Sequence, residues 1–185
     1  MLLIRRPWVW AARVRHRRGY GVHSPWAFAF ITGVVYERAA YYAYAGVGGL
    51  HPWWVRWLRL YPLQCRRLLF RLANFAHPRR MAVVGERPVE RQCMALAVPS
   101  ASWGLEGAGL VFVAWEHVGE AEALAAVMPT DGMLIVEGIH RDDHALACWR
   151  AVQKAAHTGV TFDLHTYGVA FFDPRLHKQH YVVNF

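Results

Sequence analysis

Two histidines four residues apart, His140 and His144 in "HRDDH", share one face if the stretch is helical. Imidazole nitrogens at that spacing are a common start for a metal site. A third ligand is missing, however, of the kind that H-E-x-x-H motifs gain from elsewhere in their chains. Asp142 at the head of "DDHALACWRAVQKAAH" reads more simply as the N-cap of a helix. No metal is expected. A second cluster stands near the start, where His23-Ser24-Pro25 follows the basic stretch "RVRHRR". Free N–H groups at a helix start, with Arg17, Arg18, His23 and Ser24 beside them, could hold an anion. The plainer alternative makes Ser24 an N-cap and puts Pro25 in the first helical turn, where its missing N–H costs nothing. Trp53, Trp54 and Trp57 alternate with Arg56 and Arg59, a pattern that could stack on bases or sit at a lipid interface. Core packing behind a rim of snorkelled arginines explains it as well. No Ser-His-Asp or Cys-His arrangement and no phosphate-binding loop is present.

The totals frame what can position these groups. The chain has 185 residues, 55% of them hydrophobic and 14% aromatic, enough for one domain with a substantial core. Cys65, Cys93 and Cys148 are odd in number and scattered, which argues against a disulfide framework or a thiolate zinc site and for a reducing, cytoplasmic setting. "MLLIRR" reaches its first arginines after four residues, so no secretory signal is expected, and no apolar run reaches the roughly 20 residues of a spanning helix. Charge is distributed unevenly. Residues 1–80 carry 14 arginines and one acid, Glu37, for +13; residues 81–185 carry 7 basic and 12 acidic residues, for −5. The first half is therefore expected to meet an anionic partner: nucleic acid, an acidic protein or a membrane surface. A preference for Arg over Lys would explain 19 Arg against 2 Lys, but not the missing acids.

The periodicity predicts two regions. Residues 1–80 read as helical, with a helix from Pro25 to about Tyr44 stopped by Gly46, Gly48 and Gly49. "PWWVRWLRL" reads as a short helix, and the longer one after it puts Leu68, Leu69, Leu72 and Phe75 on its inner face. Residues 81–185 alternate strand and helix: "MAVVGE", "PVERQCMALAV", "GLVFVAW", "GEAEALAAVM", "GMLIVEGI" and the helix after Asp142. A hairpin turning at Tyr167-Gly168 and a closing strand "HYVVNF" follow, which makes an α/β domain with a mainly parallel sheet.

At this point the chain resembles a known family. "GVHSPWAFAFIT", "RRLLFRLANFAHPRRMAVVGE", "GMLIVEGIHRDDHALACWRAV" and "VTFDLHTYGVAFFDPRLHKQHYVVNF" resemble, in order, segments of the class I S-adenosylmethionine-dependent methyltransferases of Bacteroidetes that open with an HGVHSPF motif. The resemblance implies a Rossmann-like sheet, S-adenosylmethionine as cofactor, and cofactor binding at the carboxyl ends of the first strands. Gly85 and Glu86 would then stand at the cofactor turn, and Glu106 would be the acid for the ribose. Glu116, His117, Glu137 and His140 would line the cleft.

Three departures qualify what is implied. The family reads roughly E-L-G-T-S-x-G after its first strand, whereas here Gly85 is followed by Glu86, Arg87 and Pro88 with no second glycine. Only "SASWGLEGA" separates the first sheet helix from "GLVFVAW", too little for a parallel crossover, so the family's second and third strands are expected to be deleted. That leaves about five strands in the order 1-4-5-7-6. Finally, where metal-dependent relatives place carboxylates, this chain has Ala114-Trp115 and Glu137-Gly138, and one carboxylate of three remains. The expected protein is a truncated, methyltransferase-like α/β domain that has lost efficient cofactor binding and serves as a binding or interaction module. The alternatives are an active methyltransferase with an abbreviated pocket and a nucleic-acid or membrane-surface binder that uses the arginine-rich half.

Overall fold

Ser24 opens the first helix in the manner its sequence predicts. In the computed structural model, which describes residues 22–49 and 61–185, its side chain accepts a hydrogen bond from the Ala27 N–H at 3.3 Å and Pro25 enters the first turn. The helix α1 (Pro25–Phe30) does not run on to Tyr44. It widens into a π-helical turn over Ile31–Val35 and stops at Tyr36. Its end is held from far along the chain. Arg71 donates to the carbonyl oxygens of Val34 (2.6 Å) and Val35 (2.9 Å), the acceptors that the next helical turn would need. The glycines expected to stop the helix belong instead to a separate short one, α2 (Tyr44–Gly49).

The long helix α3 (Tyr61–Ala76) buries Leu68, Leu69 and Leu72, as their spacing predicts, but leaves Phe75 44% exposed. Then strand and helix alternate: β1 (Arg80–Val84), α4 (Pro88–Ala97), β2 (Ser102–Trp103), β3 (Leu110–Val113), a 3₁₀ segment Trp115–Glu120, α5 (Ala121–Val127), β4 (Met133–Glu137) and α6 (Asp143–Lys154). Asp142 caps α6 by accepting from Ala145 N–H at 2.8 Å. β5 (Val160–Asp163), β6 (Tyr167–Phe171) and β7 (Gln179–Val182) complete the sheet.

The fold is α/β, with one mixed sheet of seven strands in the order β2-β1-β3-β4-β6-β5-β7. Residues alternate between its faces as the pleat requires. Met81, Phe112, Ile135, Phe162 and Val169 pack with α1 to α4 on one side, and Val111, Val113, Leu134, Val136 and Ala170 pack with α5 and α6 on the other.

Seven strands rather than about five corrects the expected strand count. The closing strand read in "HYVVNF" forms as β7, parallel to β5. At the other edge, Ser102-Trp103 does pair with Arg80-Met81 in parallel. The long crossover is unnecessary because β2 advances only two residues. The chain passes under the amino end of β1, tied on one side by Gly104 N–H to the Met81 carbonyl and on the other by Gly109 N–H to the Arg80 carbonyl, each at 3.0 Å.

The hairpin turn is also displaced. Tyr167 and Gly168 lie inside β6, and the reversal occurs at His165, which has φ of 70°. Asp163 organises that turn by accepting from His165 N–H at 2.9 Å. Gly168 serves packing instead: a Cβ there would stand 2.7–2.8 Å from ring carbons of the buried Trp149.

Candidate functional site

In a parallel α/β sheet, ligands bind beyond the carboxyl ends of the strands, where helix-leading loops converge. Here that edge is built from the loops after β1, β3 and β4, and each supplies a charged side chain. Arg87 follows β1 as the N-cap residue of α4. Glu116 opens the 3₁₀ segment after β3, and Glu137 is the last residue of β4. The Arg87 guanidinium spans all three: Nη2 donates to Glu116 Oε2 at 2.6 Å and Nε donates to Glu137 Oε2 at 2.9 Å. The same Glu137 oxygen accepts from the backbone N–H of Trp115 at 3.4 Å. Trp115 in turn carries the Arg141 guanidinium over its ring, 3.1 Å from the centroid.

Electrostatics fit a closed clasp. Burial pushes the Glu137 carboxyl above the usual carboxylate range, and the charge and hydrogen bond of Arg87 only partly offset it. For the more exposed Glu116, desolvation works in the same direction but is outweighed by Arg87, which holds the group below its ordinary range. Desolvation opposes the Arg87 charge too, but the two carboxylates outweigh it and raise that group.

The sequence candidates fall into separate places. Gly85 stands at this edge with φ of 101°, a conformation that favours glycine. Its open side faces the protein itself: a Cβ would lie 2.7 Å from that of Ala114 and 3.0 Å from His117 Cδ2. Glu86 beside it is exposed. His117 pairs with Glu120 at 2.7 Å, so of the expected cleft residues only Glu116 and Glu137 share a partner. Glu106 is elsewhere. Its carbonyl accepts from Arg80 Nη1 at 2.9 Å, at the amino end of β1, opposite Gly85. The position proposed for a ribose acid is therefore on the wrong edge, because β2 ends after two residues.

His140 and His144 do not converge either. The His140 Nε2–H donates to Asp163 Oδ2 at 2.6 Å, and its ring stacks on His165 with centroids 5.3 Å apart. His144 turns to Cys148, with Nε2 and Sγ 3.6 Å apart. Among the described residues, no group of three or more His, Cys, Asp or Glu side chains is placed to hold a metal ion. At the first helix, His23 is exposed and the Ser24 hydroxyl is committed to its cap. Arg17, Arg18 and the Trp53–Trp54–Trp57 stripe lie outside the described residues, as does the short helix expected over "PWWVRWLRL".

Sequence reasoning named Arg87, Glu116 and Glu137 separately but not their pairing, which spans 29 and 50 residues. It missed Asp163 and His165 altogether. A polar Asp ending an otherwise apolar strand, "VTFD", was the available signal. Two surface clefts lack the clasp residues in their lining. One of about 490 Å³ is bounded by Leu105, the candidate Glu106, Val111, Leu124 and Met128. The other, of about 190 Å³, is bounded by Trp26, Phe75, Gly132 and Phe171.

The residues present do not fit S-adenosylmethionine at the carboxyl edge. The glycine cradle is filled by Ala114 and His117, the ribose acid is displaced, and the Arg87 clasp crosses the strand ends. No protein-family model matches this chain, and no curated protein matches it.

Proposed function

We propose that the chain is a methyltransferase-like α/β protein that has given up cofactor binding and acts as a non-catalytic binding or interaction module. The observation that carries this is the clasp, in which a side chain of the protein itself bridges the three strand ends where a ligand would enter. With the edge strands β2 and β7 set aside, the order β1-β3-β4-β6-β5 is compatible with a shortened sheet of the methyltransferase kind. Ordinary cofactor recognition needs close backbone approach after β1 and an acid for the ribose. The packing at Gly85 opposes the first, and the place of Glu106 opposes the second.

A ligand that binds only the folded state raises Tm, by an amount that grows with the logarithm of its concentration over its dissociation constant. Thermal unfolding with S-adenosylmethionine or S-adenosylhomocysteine at roughly millimolar concentration should leave Tm unchanged. A rise of several degrees, which corresponds to about 1–2 kcal/mol in a protein of this size, would favour an active enzyme with an abbreviated pocket.

A further inference from the structure

Phe75 stands half in water in the last turn of α3, where an inner-face residue would be buried. It borders the smaller cleft, of about 190 Å³, which it lines with Trp26, Phe171, Leu176, Asp131 and Asp173. The start of α1, the end of α3, the turn before β4 and the end of β6 with its following loop all meet there. Phe171 is nearly perpendicular to Trp26 (centroids 5.0 Å apart, 86°) and to Phe75 (6.3 Å, 90°). The three rings therefore make a corner rather than a flat layer. Both charged groups on the lining are acids. Asp131 is exposed, on a turn that Gly132 N–H closes by donating to the Pro129 carbonyl at 2.8 Å. Asp173 is held by Arg175, whose Nε donates to Oδ1 at 2.9 Å and whose Nη2 donates to Oδ2 at 2.7 Å. These hydrogen bonds hold its carboxyl down at about 2, so it is ionised at neutral pH. Arg175 balances Asp173, which leaves the lining with the charge of Asp131; among the described residues that group has no ion pair.

The geometry points to a quaternary ammonium group as the ligand of this cleft. Aromatic rings attract a cation through their quadrupoles, Trp most strongly, and a neighbouring carboxylate adds to the attraction. The cleft is smaller than the roughly 300 Å³ at which pockets for drug-sized ligands begin, and its size suits a head group. A primary ammonium is strongly hydrated and needs acceptors to replace its water. Asp173 has committed both oxygens to Arg175, and aromatic walls supply few acceptors. A quaternary ammonium carries no N–H, so apolar walls and a nearby negative charge are what it requires. Met133, the first residue of β4, lines the cleft, whereas the Arg87 clasp holds Glu137 at that strand's other end. The inference therefore stands whether or not the carboxyl edge binds a cofactor.

The test is a ligand-observed NMR titration of the full chain with choline chloride, with sodium chloride added to keep ionic strength constant. Saturable binding is expected, with a dissociation constant of roughly a millimolar. The neutral analogue of choline, with carbon in place of nitrogen, should bind at least about tenfold more weakly. Phe75→Leu, which removes the ring but keeps an apolar side chain, should weaken choline binding roughly tenfold. Asp131→Asn should weaken it about threefold. Both side chains are exposed, so far-UV circular dichroism should not change. Val127→Ser, at an exposed position on the other cleft, should leave choline binding as it is. A peptide carrying trimethyllysine, titrated in parallel, separates two sources of the group. Binding tighter than choline assigns it to a protein partner and weaker binding to a free small molecule, and either supports the site. Four results would overturn the proposal: no saturable signal up to about 50 mM choline, equal affinity for the neutral analogue, affinity unchanged in both cleft variants, or an equal loss in Val127→Ser.

Discussion

Arg87 and Glu137 act on each other's charge, and that coupling has a pH signature. Because Glu137 is held above the usual carboxylate value of 4.5, the folded protein binds that proton more tightly than the unfolded chain does. Its contribution to stability is therefore fully present at low pH and is lost as pH rises through the raised value. Arg87 limits the rise. Arg87→Met should let Glu137 climb further, so the variant should be less stable than the parent by about 1–3 kcal/mol at roughly pH 8 and closer to it near pH 5. Adding Glu137→Gln should recover much of the loss. Urea denaturation at the two pH values checks this, and an equal deficit at both would show that the pair is not coupled as described. Thiol chemistry gives a second residue-level expectation. Burial pushes the Cys93 thiol up to about 12, whereas Cys148 is half-buried beside His144. Since thiolates are the reactive species, a disulfide reagent at about pH 8 should label Cys148 and spare Cys93 until denaturant is added. Rapid labelling of Cys93 in the folded protein would contradict its burial.

The joint between α1, α2 and α3 depends on one buried guanidinium at the element scale. Arg71 is 6% exposed, and it donates to the Val34 and Val35 carbonyls and to the Tyr44 hydroxyl, the last at 3.0 Å. A cation at the end of a helical segment also meets the negative end of its dipole. Arg71→Met should cost about 3 kcal/mol, since charged hydrogen bonds are lost and two carbonyls are left without this donor. A change within about 0.5 kcal/mol in chemical denaturation would show that the joint does not need it. Local chemistry made part of the helical framework legible. Ser24 and Asp142 cap their helices because a capping side chain acts within three residues of itself. Arg71 acts across 37 residues, so nothing near Val35 announces where the helix stops.

Across the whole molecule, the same distinction separates what could be read from what could not. The strands β1, β3 and β4 are apolar runs between helical patterns, and their period was enough. β2 was missed because a two-residue strand has no period, and its parallel pairing escapes the usual crossover length. Gly168 was placed in a turn, but the residue that requires a glycine there is Trp149, on the preceding helix. At the carboxyl edge, Gly85, Glu116 and Glu137 were legible as members of one site, whereas the Arg87 bridge that closes it depends on three loops meeting in space. The closed edge is the central claim, and isothermal titration of the protein with S-adenosylhomocysteine tests it most directly. The account predicts no saturable heat up to roughly millimolar ligand; a dissociation constant in the micromolar range, about −8 kcal/mol of binding, would contradict it.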